Sequence, residues 1–476
     1  MNNFLGVLIA PHPPIVISEV GKGREHEAQS TINGMEKLAE IVSKKKPETI
    51  ICITPHGNVF RDEICILYEN EIEGNLAKFG VAELAMKKEV DISLLKKIDS
   101  ELRDKNISHI LLNKTIAESY SCKPEIDHGC FVPLHYFDKT GHKYKIIHIT
   151  IHMNDLIDLY ETGKVLRKAI EESDTKVMVL ASADLSHCLN QNEPDKYHPK
   201  GKVFDEIVTK AIKSGSYEDI IGMEEDIYVN AAECGLRPIV FALGTLDAYV
   251  SVGKVFSYEA PFGVGYMTAF IETLSEKKES LLEEHHIRKI ERYESVKRKE
   301  NIFVTLARET IEVWVKTRTR LDWHKFKSII LQSKLINKLE STKAGTFVSI
   351  HKNGKLRGCI GTIGPTHPNI AHEIISNAIQ ASSYDTRFEP INEEELLALE
   401  IKVDVLGEIE EVKDIGDLDV EKYGVIVEYE GRRGLLLPNI EGINSVHEQI
   451  SIAKQKAGIG NDKQVKLSRF EVTRYS

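Results

Sequence analysis

The chain is poor in cysteine, and the few cysteines it has are scattered. Its 476 residues include seven cysteines, and no two of them are spaced as a CxxC pair. A disulfide-bonded miniprotein or a zinc ribbon needs paired cysteines at short, regular spacing. We therefore exclude both classes and expect reduced thiols.

A long hydrophobic run is missing at the N terminus. The apolar segment there, Leu5–Ala10, is short, and no basic residue precedes it. A signal peptide needs a basic start and a longer apolar stretch, and a membrane helix needs about 20 apolar residues. We expect a cytoplasmic protein that does not enter the membrane.

Positive charge is also in deficit. The chain has 62 Lys and Arg against 73 Asp and Glu, which gives a formal net charge of −11. Nucleic-acid-binding proteins use Lys and Arg to neutralise phosphates, so nucleic acid is not an expected partner.

With 42% hydrophobic residues the composition is that of an ordinary globular protein. Since a typical domain has about 150 residues, we expect two domains in this chain.

Strand-like and helix-like segments alternate over the first part of the chain, from Leu5 to about Glu272. Such alternation is typical of a sheet covered by helices on both faces. The pattern predicts an α/β domain with a mixed sheet over residues 1–275. Charge density then rises, and we expect a charged helical linker over residues 276–294.

The rest of the chain, residues 295–476, has a different pattern, in which helices and groups of strands are segregated. Asn353-Gly354 lies between two strand-like segments, and this dipeptide favours the tight turn of a β-hairpin. The pattern predicts a smaller α+β domain.

Three histidines follow hydrophobic strand-like segments. His12 follows VLIAP, His56 follows IICITP, and His187 follows VMVLASADLS. In open α/β sheets the carboxyl ends of buried strands meet at one edge and collect the ligand-binding groups. Histidine binds metals and transfers protons near neutral pH. The sequence therefore predicts a metal site to which these imidazoles converge.

A third metal ligand is sought in the segment VNAAECGLRPIV, where Glu233 and Cys234 are adjacent. Two histidines and a carboxylate form the usual site of a non-haem Fe(II) oxygenase, which favours Glu233. A thiolate is a softer ligand that favours zinc or copper, which would favour Cys234. The two residues predict different chemistry, and both alternatives stay open.

The motifs APHPP, TPHG, DHG, SADLSH and AECG occur in this order. Together they resemble the class III extradiol dioxygenases of the LigB type and the related Memo family. The resemblance implies that His12 and His56 bind a metal, with Fe(II) as the expected cofactor and zinc or copper as alternatives. It also implies that His187 is the catalytic acid and base and that His128 donates a hydrogen bond to substrate or dioxygen.

The dioxygenase resemblance implies an oxidoreductase that opens a small, catechol-like aromatic ring. In Memo proteins a Cys-Gly pair stands at the third position, as Cys234-Gly235 does here. That likeness implies the alternative, a metal-binding adaptor or redox protein without ring-cleavage activity. Whether the chain is an enzyme is left open between the two, and a homo-oligomer is compatible with both.

In the second half, LRGCIG and DTRF resemble the AMMECR-type domain. These motifs contain Arg357, Cys359, Asp385 and Arg387, which form a possible second site. Cys359 beside Arg357 is either a reactive thiol or a small packing residue, and we favour packing. A fusion of the two domains resembles the AmmeMemoRadiSam group, which implies a radical SAM protein as a partner. The chain itself lacks the CxxxCxxC spacing of a radical SAM cluster.

Overall fold

The computed structural model describes residues 3–153, 155–277, 279–329, 334–352, 354–440 and 442–476. Two compact units divide the chain at His286, Met1–His286 and Ile287–Ser476. The expected linker, residues 276–294, includes residue 278, which lies outside the described residues, and its limits stay a prediction. Among the described residues, no helix is both long enough and apolar enough to span a lipid bilayer.

The first unit contains a large mixed sheet and a separate two-stranded hairpin. Its strands, in chain order, are β1 Phe4–Ala10, β2 Thr49–Thr54, β3 Ile64–Leu67, β4 Glu71–Leu76, β5 Val81–Glu89, β6 His109–Leu112, β7 Lys145–Thr150, β8 Val177–Ser182, β9 Tyr249–Glu259 and β10 Tyr266–Lys277.

Helices connect these strands, except for α11, which follows the last strand and crosses the division between the two units in the chain. Their bounds are α1 Ser18–Gly21, α2 Gln29–Lys45, α3 Ile92–Asp104, α4 Lys114–Ser119, α5 His128–Asp138, α6 Leu156–Glu171, α7 Pro199–Ser214, α8 Glu218–Ile221, α9 Glu225–Ala231, α10 Leu236–Gly244 and α11 Leu281–Lys297. Helix α2 packs with α5, whereas α10 packs with α6 and α6 with α3. The predicted mixed α/β fold is confirmed.

The strand order of the large sheet is β6-β3-β7-β2-β8-β1-β10-β9. Its centre, β7-β2-β8-β1, is parallel, and the outer pairs β1–β10 and β10–β9 are antiparallel. Every residue of β2 and β8 is buried, which explains why both read as continuous apolar segments. The carboxyl ends of β2, β8 and β1 therefore lie side by side.

The second unit contains two four-stranded antiparallel sheets, β12-β11-β13-β18 and β14-β17-β15-β16. Its elements are α12 Ile302–Thr317, α13 Trp323–Ile329, α14 Lys334–Ser341, β11 Thr346–Lys352, β12 Lys355–Gly361, α15 Ile370–Ser383, β13 Leu399–Leu406, β14 Glu410–Glu411, β15 Gly424–Tyr429, β16 Arg432–Leu436, α16 Val446–Lys456, β17 Lys466–Phe470 and β18 Val472–Tyr475.

This unit has the predicted α+β character. The expected hairpin is formed by β11 and β12, which pair up to Lys352 and Lys355. Gly354 adopts a positive φ of 74°, a value that favours glycine in a tight turn. Asn353, the other half of the turn signal, lies outside the described residues.

Candidate metal centre

His12 and His56 meet because their strands end on either side of β8. Each histidine lies two residues beyond the end of its strand, β1 for His12 and β2 for His56. Their Nε2 atoms are 2.9 Å apart, and the rings meet edge to face. The fold thus brings together two imidazoles that are 44 residues apart in the chain.

The hydrogen bonds of His12 determine which ring nitrogen carries the proton. The Ser182 hydroxyl donates to the Gly129 carbonyl at 2.6 Å and lies 2.8 Å from His12 Nδ1. Because a carbonyl can only accept, the Ser182 hydroxyl donates its one proton to Gly129 and accepts a hydrogen bond from His12 Nδ1–H. The Nε2 atom of a neutral His12 therefore has a free lone pair, which faces His56.

Burial keeps His12 neutral. The residue is 2% exposed, and burial together with the nearby His56 lowers its pKa to about 3. Its backbone N–H donates to Asp184 Oδ1 at 2.7 Å, and Asp184 Oδ2 lies 3.8 Å from His12 Nε2. A carboxylate therefore does face the His12 ring, and it belongs to Asp184.

His128 joins the same group. It is the first residue of α5, and its ring stacks on that of His56 at 4.5 Å between centroids. One ring nitrogen from each of His12, His56 and His128 lies within 4.8 Å of the other two. Burial, followed by the repulsion that a protonated His12 would exert, lowers the pKa of His128 to about 4. The geometry allows His128 to act as a ligand as well as in the predicted donor role.

Cys234 and Glu233 point in different directions. The Cys234 Sγ atom lies 3.5 Å from His12 Nε2 and 3.7 Å from His187 Nε2. The Glu233 carboxylate instead accepts from the backbone N–H of Leu236 at 2.5 Å, at the start of α10. Burial raises the pKa of Glu233 to about 7. Of the two alternatives, the thiol is the group that faces the imidazoles.

His187 lies at the solvent-exposed rim of the group, whereas His12 forms its floor. Its backbone N–H donates to the Ala231 carbonyl at 3.0 Å, which ties the loop after β8 to the end of α9. The His187 ring is exposed and its Nε2 atom lies 3.7 Å from Cys234 Sγ, so it lies beside the same group on the side open to solvent.

Each of His56, His128 and Cys234 is followed directly by a glycine. A Cβ atom on Gly57 would lie 2.2 Å from Thr150 Oγ1, and one on Gly129 would lie 2.5 Å from Thr54 Oγ1. On Gly235 it would lie 2.5 Å from the Asp184 carbonyl. These glycines let the backbone approach the strand ends closely, and they are the glycines of the TPHG, DHG and AECG motifs.

Comparison with known proteins places both halves of the chain. Residues 6–269 match the family described as the catalytic LigB subunit of aromatic ring-opening dioxygenase. The chain belongs to the LigB family. Residues 277–476 match the AMMECR1 family, which confirms the predicted fusion of a LigB domain with an AMMECR1 domain.

Relatives of the chain include one that aligns with nearly its whole length. Protein CA_C1420 of Clostridium acetobutylicum is 39% identical over 99% of this chain and 98% of its own. A Thermotoga maritima protein is 54% identical over 28% of this chain and 78% of its own. Among solved structures, protein JW3007 from Escherichia coli K12 covers 56% of this chain and 99% of its own, with 13% identity and a TM-score of 0.40.

The donor atoms of the LigB domain fit a transition-metal ion. Two nitrogen ligands about 2.1 Å from one ion lie about 3.0 Å apart at right angles and about 3.4 Å apart in a tetrahedral site. The observed 2.9 Å between His12 Nε2 and His56 Nε2, which is also a hydrogen-bonding distance, is near the lower of these values. Burial raises the pKa of Cys234, so a metal would have to displace the thiol proton on binding.

Removal of the Ser182 hydroxyl tests the assignment of the His12 proton. We expect Ser182→Ala to weaken divalent-metal affinity about 10-fold, since a ligating histidine depends on the partner of its other nitrogen. Competition with a chelator measures the affinity. Ser257→Ala, which removes a buried strand hydroxyl bonded to Thr268, should leave affinity unchanged, and equal effects in both variants would contradict the assignment.

In the AMMECR1 domain, three of the four predicted residues surround one backbone segment. Asp385 accepts from the Cys359 N–H at 2.9 Å, and Arg387 donates to the Cys359 carbonyl at 3.3 Å while paired with Asp385. Arg357 is paired instead with Glu395 at 3.0 Å. The Cys359 Sγ atom lies 3.3 Å from Ser349 Oγ. The charges of this group are paired within the domain, and its role as a site stays a prediction.

Proposed function

We propose that the LigB domain is an Fe(II)-dependent oxidoreductase that opens a small, catechol-like aromatic ring. His12, His56 and Cys234 would bind the metal, with a thiol in the position where a carboxylate is the usual ligand of Fe(II), while His187 and His128 would face the substrate. The observation that carries the proposal is the 2.9 Å approach of two neutral histidine nitrogens beneath a rim that contains His187. Membership in a family of ring-opening dioxygenases supports the choice of reaction.

When bound, Fe(II) would supply a centre that brings the two adjacent hydroxyl oxygens of the substrate together with dioxygen. His187 would take a proton from one hydroxyl and return it as the ring opens, since an imidazole works well near neutral pH. His128 would donate a hydrogen bond to the oxygen on which negative charge develops. Both atoms of dioxygen enter the product, so the reaction needs no other reductant.

A second candidate is favoured by the orientation of Cys234. Its thiol, and not the Glu233 carboxylate, faces the imidazoles. A thiolate ligand favours zinc or copper, as well as redox chemistry of the sulfur itself. In this case the LigB domain would be a metal-binding or redox protein of the Memo kind that serves a radical SAM partner.

Reconstitution with metal separates the two candidates. The full chain would be loaded anaerobically with Fe(II), then given air and a panel of catechols, while oxygen uptake and yellow ring-opened product are followed. We expect turnover that requires Fe(II) and survives His26→Gln, a change at a ring with 74% exposure. Tight metal binding without turnover of any catechol would contradict the dioxygenase and support the second candidate.

An aromatic side chain marks where the substrate ring would bind. Phe79 lies in the turn Ala77–Phe79 between β4 and β5, is 39% exposed, and lies 5.2 Å from the His128 ring. An aromatic contact contributes about 0.5–1.5 kcal/mol, or a 2- to 10-fold change in binding. We expect Phe79→Ala to raise KM for the catechol by this factor with little change in kcat.

Tyr120→Ala provides the matched control for Phe79, because it removes another exposed aromatic ring, one that packs on Phe60. Steady-state kinetics on the best catechol of the panel measure both variants. An unchanged KM in Phe79→Ala, or an equal rise in Tyr120→Ala, would place the substrate elsewhere.

A further inference from the structure

A buried hydrogen-bonded group lies next to the candidate metal centre, and the proposed chemistry does not use it. Its middle member is Asp127, which precedes His128 in the chain. Asp127 Oδ1 accepts from Thr54 Oγ1 at 2.8 Å and from the Gly129 N–H at 2.7 Å. Asp127 Oδ2 lies 2.6 Å from His148 Nε2. Because an ionised carboxylate only accepts, His148 donates this hydrogen bond.

These bonds connect the two segments that hold His56 and His128. Thr54 ends β2, and its Oγ1 accepts from the His56 backbone N–H at 3.2 Å while donating to Asp127. At the other end, the bond from Gly129 fixes the first turn of α5, which begins with His128. The Asp127 carboxylate therefore sets how the turn after β2 and the start of α5 lie against each other.

His148 is a polar residue in the middle of the buried strand β7, and its side chain is fully buried. Its other ring nitrogen, Nδ1, has no hydrogen-bond partner among the described residues. Burying an imidazole with one ring nitrogen unpaired is energetically unfavourable. The single hydrogen bond to Asp127 is therefore the polar interaction that can account for a histidine at this position.

The same region also brings ligand atoms of Asp127, Cys130 and His148 within 4.8 Å of one another. A second metal ion there would have to displace the hydrogen bond from His148 and compete with the two bonds on Oδ1. The group is therefore better suited to hold its neighbours in place than to bind an ion.

We propose that His148 is a positioning residue of the metal centre and that it acts through Asp127. By donating to Oδ2, His148 holds the carboxylate in the orientation that restrains both the His56 backbone and the start of α5. The inference rests on the proposed metal centre but not on the identity of the substrate. It assigns a role to a histidine that touches neither metal nor substrate.

The test compares His148→Leu, which fills the space without a donor, with His148→Gln, whose amide N–H reaches a similar position. Affinity of the full chain for Co(II) and Fe(II) is measured anaerobically by competition with a chelator. We expect a loss of about 10-fold in His148→Leu, the lower end of the range for a partner bonded directly to a metal ligand, because His148 acts through Asp127. His148→Gln should recover most of it.

Thr54→Val gives an independent route to the same carboxylate and guards against misfolding of the His148 variants. Thr54→Val alone should also weaken metal affinity, and combined with His148→Leu it should cost less than the sum of the two losses, since both release Asp127. Thermal unfolding of the metal-free variants shows whether each one folds. A merely structural role would lower the melting temperature of all variants without separating Gln from Leu in metal affinity.

Three outcomes would overturn the inference: His148→Leu binding metal as tightly as the parent, His148→Gln binding as weakly as His148→Leu, or strictly additive losses in the double variant. Failure of the proposed function would give different results from failure of the His148 inference. If the parent chain binds no metal, the metal centre itself is wrong; if it binds metal without opening catechols, only the reaction is wrong and the His148 comparison still decides.

Discussion

Replacing His187 with glutamine is expected to lower kcat for ring opening by about 10²- to 10⁴-fold, the usual contribution of a general acid and base. Glutamine keeps a hydrogen-bonding group but cannot take up a proton near neutral pH. His187 is not one of the proposed ligands His12, His56 and Cys234, so metal content should not change. Steady-state kinetics and metal analysis on the same preparation measure the two effects separately.

The pH dependence of the proposed reaction in the parent chain provides the control for His187. Burial lowers the pKa of His187 below its usual 6.5, an effect that the nearby Asp184 opposes. A lowered pKa keeps the imidazole neutral and ready to accept a proton down to mildly acidic pH. The parent should therefore lose kcat/KM only below about pH 6.5, and His187→Gln should lack that decrease. A variant within a few-fold of the parent would remove His187 from the mechanism.

Replacing Cys234 with serine is expected to weaken metal affinity by at least about 100-fold, since the seryl hydroxyl does not ionise at neutral pH and is a poor substitute for a thiolate. The thiol is 3.5 Å from His12 Nε2, close to the expected position of an ion. Metal content after purification without chelators, together with affinity from competition, measures the loss.

Glu233→Gln is the matched variant, because the changed residue is the next one in the chain. Its carboxylate accepts from Leu236 at the start of α10 and does not face the imidazoles. We expect metal affinity close to that of the parent, and the glutamine amide oxygen keeps an acceptor for the Leu236 N–H. The opposite pattern, with metal lost in Glu233→Gln and kept in Cys234→Ser, would exclude the thiolate ligand.

The positions of His12, His56 and His187 at strand ends followed from the sequence, because buried parallel strands are continuous apolar segments that end abruptly at polar residues. The strand order did not. β8 lies between β1 and β2 although it comes later in the chain, and this long-range pairing places Ser182 and Asp184 against His12. The local sequence pattern carries no information about which distant strands pair. The residues that determine which His12 nitrogen carries the proton could therefore not be predicted from the sequence.

The sequence also could not show whether Glu233 or Cys234 faces the histidines. Ala232 adopts a positive φ of 50° between the end of α9 and Glu233, a conformation that no glycine or asparagine signals here. That turn directs the Glu233 carboxylate to the first turn of α10 and the Cys234 thiol to the hollow. His128 posed a similar problem, because its place among the ligand nitrogens depends on α5 starting at that residue.

The most direct test is an anomalous difference map of the full chain crystallised anaerobically with Fe(II), recorded at the iron edge. The account predicts one strong peak within bonding distance of His12 Nε2, His56 Nε2 and Cys234 Sγ, with the Glu233 carboxylate still turned to α10. A peak bound by Glu233 in place of Cys234, or no peak between the two histidines, would contradict it.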